Sequence, residues 1–406
     1  MNILYYTQIE DRFEILNDLE EIYSRPGHIF KDKFWESVNF LKEPKEPYIL
    51  IINHDTHCEK INNFLHDNPK LINDLNDNKS YLILTSHEGA VNDQGISKFN
   101  NLSDDVVSNI QNENICNVST TKPLFEVSNY MFFNRWMINM SRLTNKKIYK
   151  NLFLKSQRYS RQYHFYTINS LPRYHRVELY LFLKENKLLS KTNGTFFTSV
   201  HGGKYPFDDI GKNSYSLPHD EISITKNFDK LLDDIKNEIP KGGLGMDIRK
   251  QDIVAPSTFL NLSRNFNSYF NIVTPSIFFN DVNDEKNHIY FDEKYWKPFI
   301  TFHPFLIIGK PYILKTLREF GFKTFSPFID ESYDTELDYF KRRDKIQKEI
   351  LRLCNMKIEE IDNWYWNMSD ILLHNFKWLN KYASQENGRF FGLIKKQLKK
   401  LNTDTY

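Results

Sequence analysis

Alanine is scarce in this 406-residue chain, cysteine occurs only three times, and no long apolar run appears anywhere. Each shortage excludes something. Cys58, Cys116 and Cys354 are widely spaced and odd in number, which rules out an evident disulfide framework or a CxxC metal site and fits a reducing compartment. No stretch approaches the roughly 18–20 apolar residues of a membrane span. The opening MNILYYTQIEDRFEIL meets acids by residue 10 and lacks the apolar core of a signal peptide. A soluble, cytoplasmic protein without a transmembrane segment is the expectation. Charge of one sign is also missing: 54 Lys and Arg against 52 Asp and Glu leave a net charge of +2. A dominant electrostatic grip on nucleic acid is therefore not indicated. The alanine shortage, with abundant Asn, Lys, Ile, Phe and Tyr, fits biased codon supply from an AT-rich genome. It also discounts aromatic richness as a sign of sugar stacking.

The length suits two or three domains with sizeable cores. The first part reads as helical over residues 10–45, with Phe13, Leu16, Leu19 and Ile22 on an imperfect apolar stripe. YILII at Tyr48–Ile52 and SYLIL at Ser80–Leu84 are short apolar runs, long enough for buried strands and too short for helices. Ile115–Val118 reads as a third. Residues 59–75 read as a helix interrupted by Pro69. Each of the first two strands runs into a polar cluster, Asn53-His54-Asp55-Thr56-His57 and Thr85-Ser86-His87-Glu88-Gly89. An open parallel sheet places such clusters at its ligand-binding edge. HDTH has imidazoles and a carboxylate within metal-binding reach, although capping explains Asp55 equally well. Glu88 reads as a general base or as a cap of the following helix.

Further on, the strand-like His164–Ile168 leads through Leu171-Pro172-Arg173-Tyr174-His175-Arg176 into a helix. Helix N-terminal amides and guanidinium groups on such a loop can bind a diphosphate together. GTFFTSV at 194–200 and YFNIVTPSIFF at 269–279 read as strands, the latter broken at Thr274-Pro275-Ser276. The glycine-rich loops at 201–204 and 241–245 lack phosphate-loop spacing and read as turns.

The chain is organised around residues 290–328. Asp292 caps a short helix with Glu293 in its first turn, where the dipole favours a carboxylate. Pro298 makes that helix short or kinked. Phe305–Ile308 is a buried strand, and a helix over Tyr312–Phe320 stops at Gly321. A charged helix then spans 337–353. The following segment carries Trp364, Trp366, Ile371, Leu372, Phe376 and Leu379, a spacing that fits core packing. The basic tail GLIKKQLKKLNTDTY fits either a solvated helix end or a weak contact with an anionic surface.

DEKYWKPF, HPFLIIG and LREFGFKTF together resemble a pattern in glycosyltransferase-like proteins of phages and large viruses, with a related element in fucosyltransferases and exostosins. There the usual motif begins with threonine, where this chain has Asp292. LPRYHR resembles the arginine-proline-x-proline-histidine-arginine segment opening the second domain of the same proteins, with Tyr174 in place of the second proline. An acid that often follows the threonine in those proteins is Pro275 here. The resemblance covers roughly residues 171–328 and implies an α/β fold of two Rossmann-like domains with parallel sheets facing a central cleft. It implies an acceptor domain over 1–160, a nucleotide-sugar domain over 161–330 and C-terminal helices over 331–406 packing back across both.

The resemblance also implies a nucleotide-diphosphate sugar as donor substrate, with no cofactor and no metal required. Arg173, His175, Arg176, Thr274, Ser276, Asp292, Glu293, Lys294 and Lys297 would form the donor site. Glu88, or else Asp55, would be the base that deprotonates an acceptor hydroxyl on a glycan, a protein or a modified viral DNA base. Two other classes stay open: a metal-dependent hydrolase built on HDTH and SHEG, and a non-catalytic nucleotide- or sugar-binding protein, the latter suggested by Tyr174 and Pro275.

Overall fold

Buried strands made from continuous apolar runs need cover on both faces, and parallel sheets supply it. A computed structural model describes residues 2–7, 39–40, 47–54, 67–86, 115–119, 121–123, 130–134, 137–138, 140–141, 146–169, 172–197, 262–275 and 288–403. The protein is a mixed α/β chain with parallel-strand sheets and a helical C-terminal region. It divides into two compact units. One comprises Met1–Leu143, Asn287–Phe291 and Lys381–Tyr406, and the other Thr144–Lys286 and Asp292–Asn380.

In the first unit, β1 (Asn2–Thr7), β2 (Asn39–Phe40), β3 (Tyr48–His54), β4 (Ser80–Ser86), β5 (Ile115–Ser119) and β7 (Tyr130–Phe132) form one sheet in the order β2-β1-β3-β4-β5-β7. Every pairing in it is parallel. Tyr48, Ile49, Leu50, Leu82 and Ile83 are wholly buried, as the apolar runs require. Residues 10–45 were expected to be helical. The two described among them, Asn39 and Phe40, are instead strand, drawn into pairing beside β1. The helical pattern is interrupted where Pro69 stands: Asp67 is helical, Asn68 is not, and Pro69 opens a new helix, α1 (Pro69–Asn76), where a missing N–H costs nothing. Leu71 and Leu75, four residues apart, bury its inner face, and Tyr48 Oη donates to Asp74 at 2.9 Å. A separate antiparallel pair joins β6 (Thr121–Pro123) to β12 (His288–Tyr290). The last part of the helix Ser369–Thr403 belongs to this unit. Phe390 packs on Phe133 at 4.7 Å between ring centroids, and Ile394, Leu398 and Leu401 are buried. The apolar stripe of the basic tail is thus committed to a core, and the reading of that tail as an anionic-surface contact loses its apolar half.

In the second unit, β8 (Tyr163–Tyr166), β11 (Ser268–Val273) and β13 (Phe305–Ile307) form a parallel sheet in the order β13-β11-β8. Beside it β9 (Ile168–Asn169) pairs with β10 (Thr195–Phe196), also parallel. The helices are α2 (Lys146–Lys155), α3 (Tyr174–Glu185), α4 (Leu262–Phe266), α5 (Lys297–Ile300), α6 (Ile313–Glu319), α7 (Tyr339–Cys354), α8 (Ile358–Trp366) and the start of α9 (Ser369–Thr403). Asp292 caps as its position suggests, its carboxylate accepting from the Lys294 amide at 3.0 Å, but the turn it opens, Glu293–Tyr295, is a 3₁₀ helix. Pro298 is the second residue of α5, so it removes no helix hydrogen bond. Trp364 is core, its Nε1 donating to the Phe328 carbonyl at 2.9 Å.

Beneath the sheet lies a buried cation. The Arg161 guanidinium carbon sits 3.9 Å from the Tyr365 ring centroid, and the group donates to Tyr365 Oη at 2.7 Å and to the Ser268 carbonyl at 2.5 Å. His303 Nε2 lies 2.9 Å from both the Asn265 and Ser268 carbonyls, which makes this nitrogen the proton-bearing one of a neutral ring. Burial, reinforced by Arg161, pushes the His303 pKa down to about 3.

Two predictions follow from this packing. An unfolded histidine takes a proton below about 6.5, whereas folded His303 stays neutral until about 3. The stability supplied by the neutral ring is therefore complete above 6.5 and is lost as pH falls towards 3. Urea denaturation of wild type and His303→Gln should show the wild type losing about 2 kcal/mol relative to the variant between pH 7 and pH 5. Gly321 ends α6 with φ +88, and an added Cβ would meet the Trp378 ring at 2.8 Å. Gly321→Ala should cost about 2–4 kcal/mol in the same assay, from left-handed strain and overpacking together.

Candidate functional site

The strands of the second unit deliver their polar residues to one edge. Past the end of β8, Thr167 donates to the Ile272 carbonyl at 2.8 Å, and Asn169 Nδ2 donates to Thr167 Oγ1 at 3.1 Å. Past the end of β11, Thr274 Oγ1 donates to Asn169 Oδ1 at 2.7 Å. Each hydroxyl and amide is buried, so each needs such a partner. The chain between Asn169 and α3 then presents its basic residues to the same place.

Arg173 is the residue before α3, with extended backbone, and remains half-buried. His175 and Arg176 lie in the first turn and are fully buried. Arg176 Nη2 donates to the carbonyls of Thr274 at 3.1 Å and Pro275 at 3.2 Å. His175 Nε2 is 3.0 Å from the Pro275 carbonyl, so it is the nitrogen bearing hydrogen. Burial lowers both groups, with the neighbouring arginines adding to it. The His175 ring is held well below its ordinary range and stays neutral. The Arg176 guanidinium goes down to about 9, still charged at neutral pH, and Asp292 and Glu293 counter the drop.

The DEKYWK turn brings those two carboxylates to the same edge. Lys294 Nζ lies 3.1 Å from Asp292 and 2.7 Å from Glu293. Lys297, buried on α5, has its pKa lowered chiefly by burial, which Glu293 and Asp292 oppose. Thr167, Asn271, Thr274, Lys294, Lys297 and Pro298 line a cavity of about 30 Å³. That volume suits water rather than a nucleotide. Asn271 Oδ1 is buried there without a protein donor. The side chains divide by accessibility. Arg173 and Lys294 form a partly exposed outer set, while His175, Arg176, Asp292, Glu293 and Lys297 are buried behind it.

No family model, curated protein or solved structure matches the chain.

Of the candidate residues, Arg173, His175, Arg176, Thr274, Asp292, Glu293, Lys294 and Lys297 all lie in the second unit. The contacts and charge effects above join them around the ends of β8 and β11. Ser276, Asp55 and Glu88 lie outside the described residues, though β3 ends at His54 and β4 at Ser86, directly before the HDTH and SHEG acids. Thr167, Asn169 and Asn271 escaped the sequence reading. Their signal was faint: polar residues interrupting or ending apolar strands, with partners about a hundred positions away.

Asp292 serves as cap and as counter-charge. Asp292→Ala should lower stability by about 1–3 kcal/mol, and Asp292→Asn by clearly less because Asn still caps. Chemical denaturation of the two variants side by side checks the order. Equal losses would make the charge, not the cap, the dominant contribution.

Proposed function

We propose that the chain is a glycosyltransferase that moves a sugar from a nucleoside-diphosphate donor to an acceptor hydroxyl. In this reading it has two Rossmann-like domains, with the donor held by the second. The observation that carries the reading is the convergence of the LPRYHR helix start and the DEKYWK turn on one edge of a parallel sheet. Helix amides, guanidinium groups and ammonium groups at such an edge suit a diphosphate. A carboxylate beside them suits the hydroxyls of a ribose.

The chemistry asks little beyond charge. The acceptor oxygen attacks the anomeric carbon, the bond from that carbon to the diphosphate oxygen breaks, and the diphosphate leaves with the bonding pair. Cations fixed around the leaving group matter most as that charge develops. Arg173 and Lys294 of the outer set are the direct contacts in this reading, and Glu293 accepts from the ribose. Arg176 and His175 position the Thr274-Pro275 segment through its carbonyls. The acceptor proton goes to Glu88 or Asp55. Support for the first unit as the acceptor side comes from its sheet. The strand order reverses between β1 and β3, and an open parallel sheet binds ligands beyond the strand ends at such a reversal. The HDTH acid follows β3 directly.

Isothermal titration with uridine diphosphate and guanosine diphosphate tests the donor site. One of them should bind wild type, and Glu293→Gln should weaken it by roughly ten- to a hundredfold with a nearly unchanged melting curve. Arg173→Ala should do the same. Arg176→Ala should weaken binding and also lower the melting temperature, since it leaves the buried Thr274 carbonyl without its donor. Wild-type affinity in Glu293→Gln would remove the ribose contact, and with it the reading.

A further inference from the structure

In a chain whose charges nearly balance, no Asp or Glu occurs between Glu126 and Glu178. The structure puts part of this stretch on display. Helix α2 buries Phe153, which stacks on Phe302 at 4.3 Å and meets Tyr365 and Trp366. The opposite face exposes Lys147 and Lys155, the turn after it, Ser156–Arg158, exposes Arg158, and Lys146 and Lys150 are exposed nearer the Phe153 side. Among these cations stand Ile148 at 51 % exposure, Leu154 at 42 % and Tyr159 at 60 %. Large hydrophobic side chains this exposed are uncommon among the described residues. The others are Leu337 and Phe340, on and beside α7.

We propose that α2 and the turn after it form a peripheral docking surface for an anionic lipid bilayer. Charge complementarity argues for an anionic partner. The choice of lipid over nucleic acid rests on the aliphatic residues. Against a sugar-phosphate backbone, Ile148 and Leu154 would stay in water while the lysines made the contacts. At a lipid interface the lysines meet headgroups and the aliphatic side chains enter the acyl boundary, with Tyr159 at headgroup level. The helix packed against α2 through Tyr365 and Trp366, α8, carries Glu359, Glu360 and Asp362. There Glu360 caps its own helix by accepting from the Lys357 amide, and Asp362 acts on Tyr269 and Tyr365. The basic tail at 392–406 is the instructive contrast: its lysines are exposed, but Ile394, Leu398 and Leu401 are buried, so it has charge without an insertable face. Docking through α2 is independent of the donor site, and either can fail alone.

The test is co-sedimentation of the full chain with three probes: phosphatidylcholine vesicles, vesicles of phosphatidylcholine and phosphatidylglycerol in equal parts, and double-stranded DNA. Wild type should sediment with the acidic vesicles and not with the neutral ones, and added salt should weaken the binding. Lys147→Gln with Lys155→Gln should lower the vesicle partition coefficient roughly twenty-five-fold, at about fivefold per charge. Ile148→Ser with Leu154→Ser should lower it about tenfold while keeping the wild-type melting curve. Retention on DNA without vesicle binding would overturn the proposal. So would binding to neither probe, or vesicle binding that both variant pairs leave intact.

Discussion

A charge taken out of water must be met by fixed acceptors, and in the second unit that charge is the Arg176 guanidinium. It is met by the carbonyls of Thr274 and Pro275, about a hundred residues further along the chain, and by the field of Asp292 and Glu293. The contact ties the start of α3 to the end of β11, and the compensating acids draw in the DEKYWK turn. His175 and Lys297 share the same balance, each held towards its neutral form by burial. The partly exposed cations, Arg173 and Lys294, stand next to this buried set, and Lys294 pairs with both Asp292 and Glu293. That is the usual economy of a binding edge: buried groups hold geometry, and partly exposed ones make contact.

The first unit builds its edge differently. Tyr48–Ile51 in β3 and Tyr81–Ile83 in β4 are buried and apolar, while Asn53, His54, Thr85 and Ser86 stand at the ends of those strands and Asn117 stands inside β5. The strand order reverses between β1 and β3, and an open parallel sheet binds ligands beyond the strand ends at such a reversal. Two edges with different chemistry, one cationic with paired carboxylates and one followed by His and Asp or Glu, suit a reaction in which one substrate brings phosphates and the other needs a proton removed.

Much of this was legible where the signal is local. YILII, SYLIL and FLII became strands because continuous short apolar runs have few other solutions. Asp292 as a cap and Gly321 as a stop were readable from residue type and position alone. Proline was harder to read. Pro69 and Pro298 do mark a break and a short helix, but the pattern hid that each stands in a first turn, where no N–H is needed. The β1 strand Asn2–Thr7 passed unnoticed because a six-residue run at the chain start resembles the approach to a helix as much as a strand. The tail was misleading for the same physical reason that its pattern was clear. Amphipathicity shows that a face is buried, not what buries it. Thr167 and Asn169 were the least legible, since their pairing with Ile272 and Thr274 across about a hundred residues exists only once β8 and β11 lie side by side.

Whether the edge organised by Arg176 holds a nucleoside diphosphate is decided by a crystal structure with uridine diphosphate or guanosine diphosphate. The diphosphate should lie against the N-terminus of α3 beside Arg173 and Lys294, with the ribose hydroxyls on Glu293. A nucleotide bound instead beyond the ends of β3 and β4, with this edge empty, would contradict that placement.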